Sequence, residues 1–192
     1  MIGLPGRRRY ERTGFALYGA AVAAARDPFY YQELAVPDTL DGRFDLVGLH
    51  VFLLIRRLGA PDAGKAGAKL AQAVFDAMFA DMDINLREMG VGDLSVGRRV
   101  RAMWEALHGR SAVYQAALGA PDPDLGAPDL DALTAALARN VWRTAPPDAA
   151  APARLARSVV AQDQALAGRP VAGLFAGAVE FLAPAALALA AA

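Results

Sequence analysis

Cysteine is absent from the 192-residue chain, and histidine occurs only twice, at His50 and His108. Without cysteine there are no disulfide bonds, thiolate metal ligands or cysteine nucleophiles. Two histidines are too few for a three-histidine metal site, and a hydrolase with a histidine base would depend on one of these two residues. The absences therefore exclude thiol chemistry and three-histidine metal catalysis.

The chain also has no excess of charge, because 20 basic side chains balance 20 acidic ones. Dedicated nucleic-acid-binding domains are normally strongly basic, so we do not expect DNA as a partner. The basic segment GRRRYER near the N-terminus is followed by ALYGAAVAAA and then by RDPFYY, which does not fit a secretory signal. We therefore expect a cytoplasmic protein.

Runs of β-branched residues are scarce, whereas 55% of the residues are hydrophobic and alanine is common. This composition favours helices over sheet, and the length suits one domain with a real core. The sequence predicts an all-α, single-domain helical bundle of about seven to nine helices. We expect a basic arm at 1–12 and a helical domain at 13–192, with a Pro- and Asp-rich linker at 119–129 before helices in 130–192.

Cap and stop signals indicate where the helices lie. A first helix is expected after Thr13 and a long one between Asp41 and Gly59. Two more are expected at about 65–89 and 96–107, and SAVYQAAL follows as a separate piece.

The last segment, VAGLFAGAVEFLAPAALALAAA at 171–192, carries a single charge, Glu180. Its length is sufficient to span a bilayer. Glu180 and Pro184 interrupt it, however, and alanine and glycine supply most of its apolar character, so the driving force for insertion is weak. A buried or peripheral helix is the favoured interpretation, and peripheral contact with the inner membrane is the alternative.

The most polar stretch, DMDINLREMGVGDLSVG at 81–97, invites two ligand-binding interpretations that both fail. A calcium loop counted from Asp81 would need glycine at Leu86 and glutamate at Gly92. A dinucleotide loop would need a third glycine where Ser95 stands, and it would follow a strand. The stretch instead predicts a join between two helices, in which Gly90 ends the first and Asp93 or Ser95 caps the second.

The residues around this join fall on separate helix faces. Asp83 and Arg87 are four residues apart and are expected to pair. Two apolar stripes are expected to face the core, one before the turn and one after it: Phe75, Phe79, Met82, Leu86 and Met89, then Val96, Val100, Met103, Trp104 and Leu107.

The long helix LVGLHVFLLIRRL has two interpretations. It is either a wholly buried helix with a hydrogen-bonded His50, or an apolar partner-binding face with a basic border. A catalytic or haem-ligating His50 is a third possibility. His108 is expected to stabilise a helix end, where it meets the carbonyl dipoles.

A run of arginines near the N-terminus also has two interpretations. Arg7, Arg8, Arg9 and Arg12 form either a solvated arm or a contact with anionic lipid or ribosomal RNA.

The segment FADMDINLREMGVGDLSVGRRVRAM strongly resembles the signature of the ubiquinol–cytochrome c chaperone family, whose members help to assemble the cytochrome bc complex. LHVFLLIRRL and GRSAVYQAAL also resemble that family, and the similarity extends from about Phe15 to Leu118. The family tends to have Lys-Lys where this chain has Arg98 and Arg99, which keeps the charge. The chain looks like a bacterial member.

The resemblance implies a non-enzymatic helical chaperone without a cofactor, whose client is newly synthesised cytochrome b. Mitochondrial members also work with a small partner protein near the ribosome's exit, but no matching interface is recognisable here. A membrane-protein client needs an apolar surface beside charged residues. The predicted client-binding residues are Leu46, His50, Leu53, Arg56, Arg57, Asp81, Met82, Asp83, Arg87, Glu88, Met89, Asp93, Arg98 and Arg99.

Two other functions are compatible with the residues. One is a helical carrier of a small apolar ligand such as haem or quinone, with His50 as the ligand. The other is an enzyme that uses the face of Asp81, Asn85 and Glu88 with a divalent ion.

Overall fold

The computed structural model describes residues 5–119, 127–143, 146 and 148–184. The regular structure of this part of the chain is helical, which confirms the predicted all-α class, and no strand occurs in it. The helices are α1 (Pro5–Ala25), α2 (Pro28–Gln32), α3 (Leu40–Leu58), α4 (Gly64–Glu88), α5 (Asp93–Leu118), α6 (Leu130–Leu137), α7 (Ala151–Ala167) and α8 (Val171–Phe175), with a 3₁₀ turn at Pro61–Ala63 and a π-helical turn at Ala138–Trp142.

Helix α3 is the centre of the bundle, and 15 of its 19 residues are buried. It is apolar on almost every side, which is the pattern of a helix enclosed by others. Helices α1, α4, α5 and α7 pack around it. Its core residues are large, since Leu46, Leu53, Leu54 and Leu58 are all among the fully buried side chains.

Helices α1 and α4 lie side by side and run in the same direction. A Cβ atom on Gly14 would lie 2.6 Å from the carbonyl carbon of Ala73, so the two backbones approach closely only because residue 14 is glycine. Further along both helices, the Tyr18 hydroxyl donates a hydrogen bond of 2.7 Å to Asp81. The N-terminal ends of α1 and α4 therefore lie at the same end of the molecule.

Two buried arginines fasten the end of α3 to other helices. Arg56 donates from Nε to Asp163 at 2.8 Å and from Nη1 to the Gly119 carbonyl at 2.8 Å. Arg57 donates from Nε to the Leu166 carbonyl at 2.9 Å and from Nη2 to Asp62 at 2.7 Å. The carbonyls come from the last residues of helices or from just beyond them, where α-helices leave acceptors unpaired.

A buried carboxylate joins the other end of α3 to two arginines. Asp45 pairs with Arg110 of α5 and with Arg143, whose Nη2 lies 3.0 Å from the Asp45 carboxylate. Burial raises the pKa of Asp45 to about 6, although both guanidinium groups act to lower it.

The helix boundaries differ from the prediction in three places. Helix α1 starts at Pro5 rather than after Thr13, since proline suits a first turn, so residues 5–12 of the predicted arm are helical. Helix α5 continues through His108 and Gly109, and His108 is therefore not at a helix end. Glycine costs such a helix only about 1 kcal/mol, which the burial of residues on either side offsets.

The C-terminal segment is the third difference. Only Val171–Phe175 forms a helix there, residues 176–183 are not helical, and 185–192 lie outside the described residues. In the part of the chain that is described, no helix combines the length and the apolar character needed to cross a membrane.

We expect Arg56→Ala to lower the free energy of unfolding by about 3 kcal/mol, because it leaves the mostly buried Asp163 carboxylate without the guanidinium that pairs with it. Arg157→Ala removes an exposed arginine and should change the stability by less than about 0.5 kcal/mol. Urea unfolding followed by circular dichroism measures both. Equal effects of the two substitutions would contradict the structural role of Arg56.

Candidate protein-interaction surface

The surface predicted on α3 is not accessible. Leu46 and Leu53 are fully buried, and Arg56 and Arg57 are only 7% and 6% exposed. The expectation that they form an apolar face with a basic border is wrong, because neighbouring helices cover these four residues and the two arginines are paired inside the protein. The alternative interpretation, a wholly buried helix, is correct.

His50 is a core residue with both ring nitrogens in hydrogen bonds. Nδ1 lies 2.8 Å from the Leu46 carbonyl and donates to it, while Nε2 lies 3.2 Å from the Tyr30 hydroxyl and accepts from it. The ring also packs edge-on against Phe181, with 5.1 Å between centroids. Burial lowers the pKa of His50 to about 4, so the ring is neutral at pH 7. No nitrogen is left for a haem iron.

His50 makes stability depend on pH in a defined direction. Its pKa is about 4 in the folded protein and near 6.5 when unfolded, so the unfolded state binds the proton more readily. Stability should therefore fall between pH 6.5 and pH 4, by up to about 1.4 kcal/mol per pH unit.

The matched control for this prediction is His50→Gln, whose side chain can still donate and accept but does not titrate. Asp45 and the other titratable groups are present in both proteins. Any change with pH in the difference between the unfolding free energies of wild type and variant therefore comes from His50. Wild type should lose stability relative to the variant as the pH falls. If the curves of unfolding free energy against pH ran parallel for wild type and variant over this range, His50 would have the same pKa in the folded and unfolded states, contrary to the prediction.

The polar stretch at 81–97 forms a tight hairpin between α4 and α5, as predicted. Gly90 has a φ of +79°, a left-handed conformation that glycine adopts without strain. The Val91 amide donates to the Leu86 carbonyl at 3.0 Å, which closes the end of α4. Gly92 precedes α5 without a side-chain cap, so neither Asp93 nor Ser95 acts as the predicted N-cap.

Arg87 holds the two sides of this turn together. Its Nε donates to Asp83 at 2.6 Å one helical turn earlier, and its Nη1 reaches Asp93 at the start of α5. The predicted pairing of Asp83 with Arg87 is present. Asp93 also lies in the first turn of α5, where a carboxylate interacts favourably with the helix dipole.

Apolar side chains are exposed on either side of the same turn. Leu94 is 93% exposed, Ile84 54% and Met89 53%. We call Ile84, Met89 and Leu94 the hairpin tip. Arg98 and Arg99 are exposed on the next turn of α5, and Glu88 is exposed at the end of α4. The hairpin therefore presents an apolar tip with charged neighbours, the combination that was expected on α3.

An apolar groove of about 340 Å³ lies between α3, α4 and α5. Ile55, Phe75 and Leu107 are part of its lining, and His108, Ser111 and Gln115 add polar groups. On α5, His108 stacks flat on Trp104 with 5.3 Å between ring centroids, and Trp104 is 42% exposed. The groove is large enough for a few side chains or a small ligand.

The remaining predicted residues divide into two groups. Asp81 and Met82 serve the packing of α4, since Asp81 accepts the Tyr18 hydrogen bond and Met82 is partly buried against the core. The others lie together at the hairpin: Asp83, Arg87, Glu88, Met89, Asp93, Arg98 and Arg99.

Sequence patterns missed Ile84 and Leu94, the most exposed apolar residues of the hairpin. A single apolar residue beside a turn has no periodic partner, so helical spacing does not single it out. Met89 and Trp104 were assigned to apolar stripes facing the core. Met89 is exposed because it lies beyond the last turn of α4. Trp104 is exposed because it lies on a face of α5 that no helix of the described residues covers.

An all-α domain with an exposed apolar hairpin beside charged side chains has surface features that are typical of protein-interaction sites. Within the described residues, no three His, Asp or Glu side chains are grouped as metal ligands. Residues 32–181 match the protein family described as Ubiquinol-cytochrome C chaperone. The chain belongs to this family, whose role is that of a chaperone rather than an enzyme.

Relatives and a solved structure agree with this assignment. The crystal structure of the Cbp3 homolog from Brucella abortus superposes with a TM-score of 0.77 at 31% identity and covers 93% of both chains. Ubiquinol-cytochrome-c reductase complex assembly factor 1 from Xenopus laevis is 23% identical over 66% of this chain, and its Drosophila melanogaster counterpart 28% over 71%. The matches span only 64% and 49% of those two proteins.

Proposed function

We propose that this protein is an assembly chaperone of ubiquinol–cytochrome c reductase that binds newly synthesised cytochrome b through the α4–α5 hairpin. The observation that carries the proposal is the hairpin tip, where Leu94 is 93% exposed beside Met89 and Ile84. Keeping a leucine in water costs about 1.5–3 kcal/mol relative to burying it, so such a residue is a candidate for burial against a partner.

The charges around the tip suit a membrane-protein client. Segments of such a client that await insertion are apolar, and they end in charged or polar residues at the membrane surface. The tip provides apolar contact, and Arg98 and Arg99 provide positive charge on the adjoining turn of α5. Met89 adds a flexible side chain that adapts to irregular apolar surfaces.

The ion pairs of the hairpin give it a defined shape before any client binds. Arg87 bridges Asp83 and Asp93 across the turn, so the first turn of α5 is held against the last turn of α4. A surface that is preorganised loses less entropy when a partner binds. We infer that these three residues position the tip, and that Leu94 and Met89 make the contact.

The first test is recovery of cytochrome b with the tagged protein from its native host, measured by mass spectrometry. Met89→Ser/Leu94→Ser should reduce the recovery about tenfold or more, since each central apolar contact contributes at least about 1 kcal/mol. Leu40→Ser/Val113→Ser replaces two apolar side chains that are 45% and 42% exposed elsewhere on the protein and should leave recovery unchanged. Absence of cytochrome b from the wild-type sample would overturn the proposed client.

The second test concerns the charges. Arg98→Glu/Arg99→Glu should weaken the recovery and remove most of its dependence on salt, because the reversed charges no longer attract an acidic end of the client. Arg139→Glu/Arg157→Glu, which reverses two exposed arginines on other helices, is the matched control. Equal losses in both variants would indicate a general effect of charge and not a site.

A carrier of a small apolar ligand is the second candidate, and the groove between α3, α4 and α5 is the observation in its favour. The ligand would not be held by His50, whose nitrogens are both bonded. Haem titration followed by absorbance should therefore show the same Soret region in wild type and His50→Gln. A sharp band that only wild type develops would restore His50 as a ligand.

We further infer that the protein works at the membrane surface, since cytochrome b is inserted there. The contact is peripheral in this proposal.

A further inference from the structure

The N-terminal ends of α1 and α4 bring five basic side chains to one end of the molecule. Arg8, Arg9 and Arg12 lie in the first turns of α1, and Lys65 and Lys69 lie in the first turns of α4, all of them exposed. The two helices are parallel, as the contacts of Gly14 with Ala73 and of Tyr18 with Asp81 require. We call these five residues the basic end.

Acidic side chains near the basic end are few. Glu11 lies between Arg9 and Arg12 on α1. Asp62 precedes α4, and it is paired with Arg57. The positive ends of the two helix dipoles add further positive potential. The protein has no net charge, so this end is a local concentration of positive charge and not a reflection of the whole chain.

Helical spacing arranges the cations in two rows. Arg8 and Arg12 are four residues apart and share one face of α1, as Lys65 and Lys69 do on α4. Phe15 follows Arg12 by three residues in the same row, and its side chain is 53% exposed. The row on α1 thus continues from two charges to an exposed aromatic ring.

A groove of about 320 Å³ opens at the same end, between α1, α4 and α8. Tyr10, Leu70 and Phe175 are part of its apolar lining, and the charged side chain of Arg9 also lines it. An apolar cleft with a guanidinium beside it matches a molecule that has an anionic group attached to hydrocarbon.

We propose that the basic end docks on a membrane surface that contains anionic phospholipids. The five cations contact the headgroups, Phe15 inserts at the level of the interface, and the groove takes the upper part of one lipid. The inference rests on the peripheral membrane contact proposed above, and it does not depend on the identity of the client. An RNA partner would use the cations equally well, but it would leave Phe15 and the apolar groove without a role.

The docking surface and the hairpin tip lie at opposite ends of α4. With 25 residues, this helix is roughly 36 Å long, so the two surfaces do not overlap. A protein docked through its basic end therefore keeps the hairpin tip free for a client, and variants of the two surfaces are separable.

Co-sedimentation of the full chain with phosphatidylcholine vesicles, with and without a quarter of phosphatidylglycerol, tests the proposal. Wild type should bind only the anionic vesicles, and added salt should weaken the binding. Lys65→Glu/Lys69→Glu should lower the partition coefficient roughly thirtyfold or more, since each basic residue near the surface contributes about a fivefold factor. Phe15→Ser should weaken the part of the binding that persists at high salt.

The controls distinguish the outcomes. Arg139→Glu/Arg157→Glu makes the same charge change away from the basic end and should bind vesicles like wild type, as should Met89→Ser/Leu94→Ser. Lys65→Glu/Lys69→Glu should still recover cytochrome b from detergent extracts if the client proposal holds, so either proposal can fail alone. Circular dichroism verifies that each variant is folded.

Two results would overturn the proposal. One is equal binding of wild type to neutral and anionic vesicles, or to neither. The other is binding of a labelled RNA oligonucleotide as tight as that of anionic vesicles, together with a Phe15→Ser variant that binds vesicles like wild type.

Discussion

The burial of α3 among α1, α4, α5 and α7 is the constraint on which the rest of the structure depends. A helix in that position has to bring its polar groups into the core, where each needs a partner of suitable charge or hydrogen-bonding capacity. Asp45 meets two arginines, His50 meets a hydroxyl and a carbonyl, and Arg56 and Arg57 each meet a carboxylate and backbone carbonyls. No buried side-chain nitrogen or oxygen among the described residues lacks a partner.

These partners come from distant parts of the chain, so the polar contacts of α3 connect distant segments to one another. Arg56 reaches Asp163 on α7, and Arg57 reaches the end of the same helix. Asp45 forms an ion pair with Arg143, which follows α6 in the chain. Buried ion pairs of this kind add little net stability over apolar residues, but breaking one is costly, and that asymmetry makes them specific for one arrangement. Helix α7 and Arg143 are thereby held to α3.

We propose that α4 and α5, the two longest helices, carry the recognition surface, because the residues of α3 are covered. Both run past the region where other helices cover them, and their hairpin is stabilised by its own ion pairs and glycine turn. One end of α4 then carries the exposed apolar tip and the other carries lysines beside the arginines of α1. Because α4 separates the two surfaces, the proposed client contact and the proposed membrane contact do not compete for space.

The sequence by itself determined the helical class, the hairpin at 81–97 and the family, because helix propensity, glycine turns and a long motif are local properties of the chain. It also indicated correctly that Asp83 and Arg87 pair, since both lie on one helix. Only the tertiary structure decided which polar residues are exposed. Arg56 and Arg98 each begin an Arg-Arg pair within a helix, yet Arg56 is buried and pairs with Asp163 of α7, whereas Arg98 is exposed. Burial depends on which helices meet in space, and the periodicity of one helix does not contain that information.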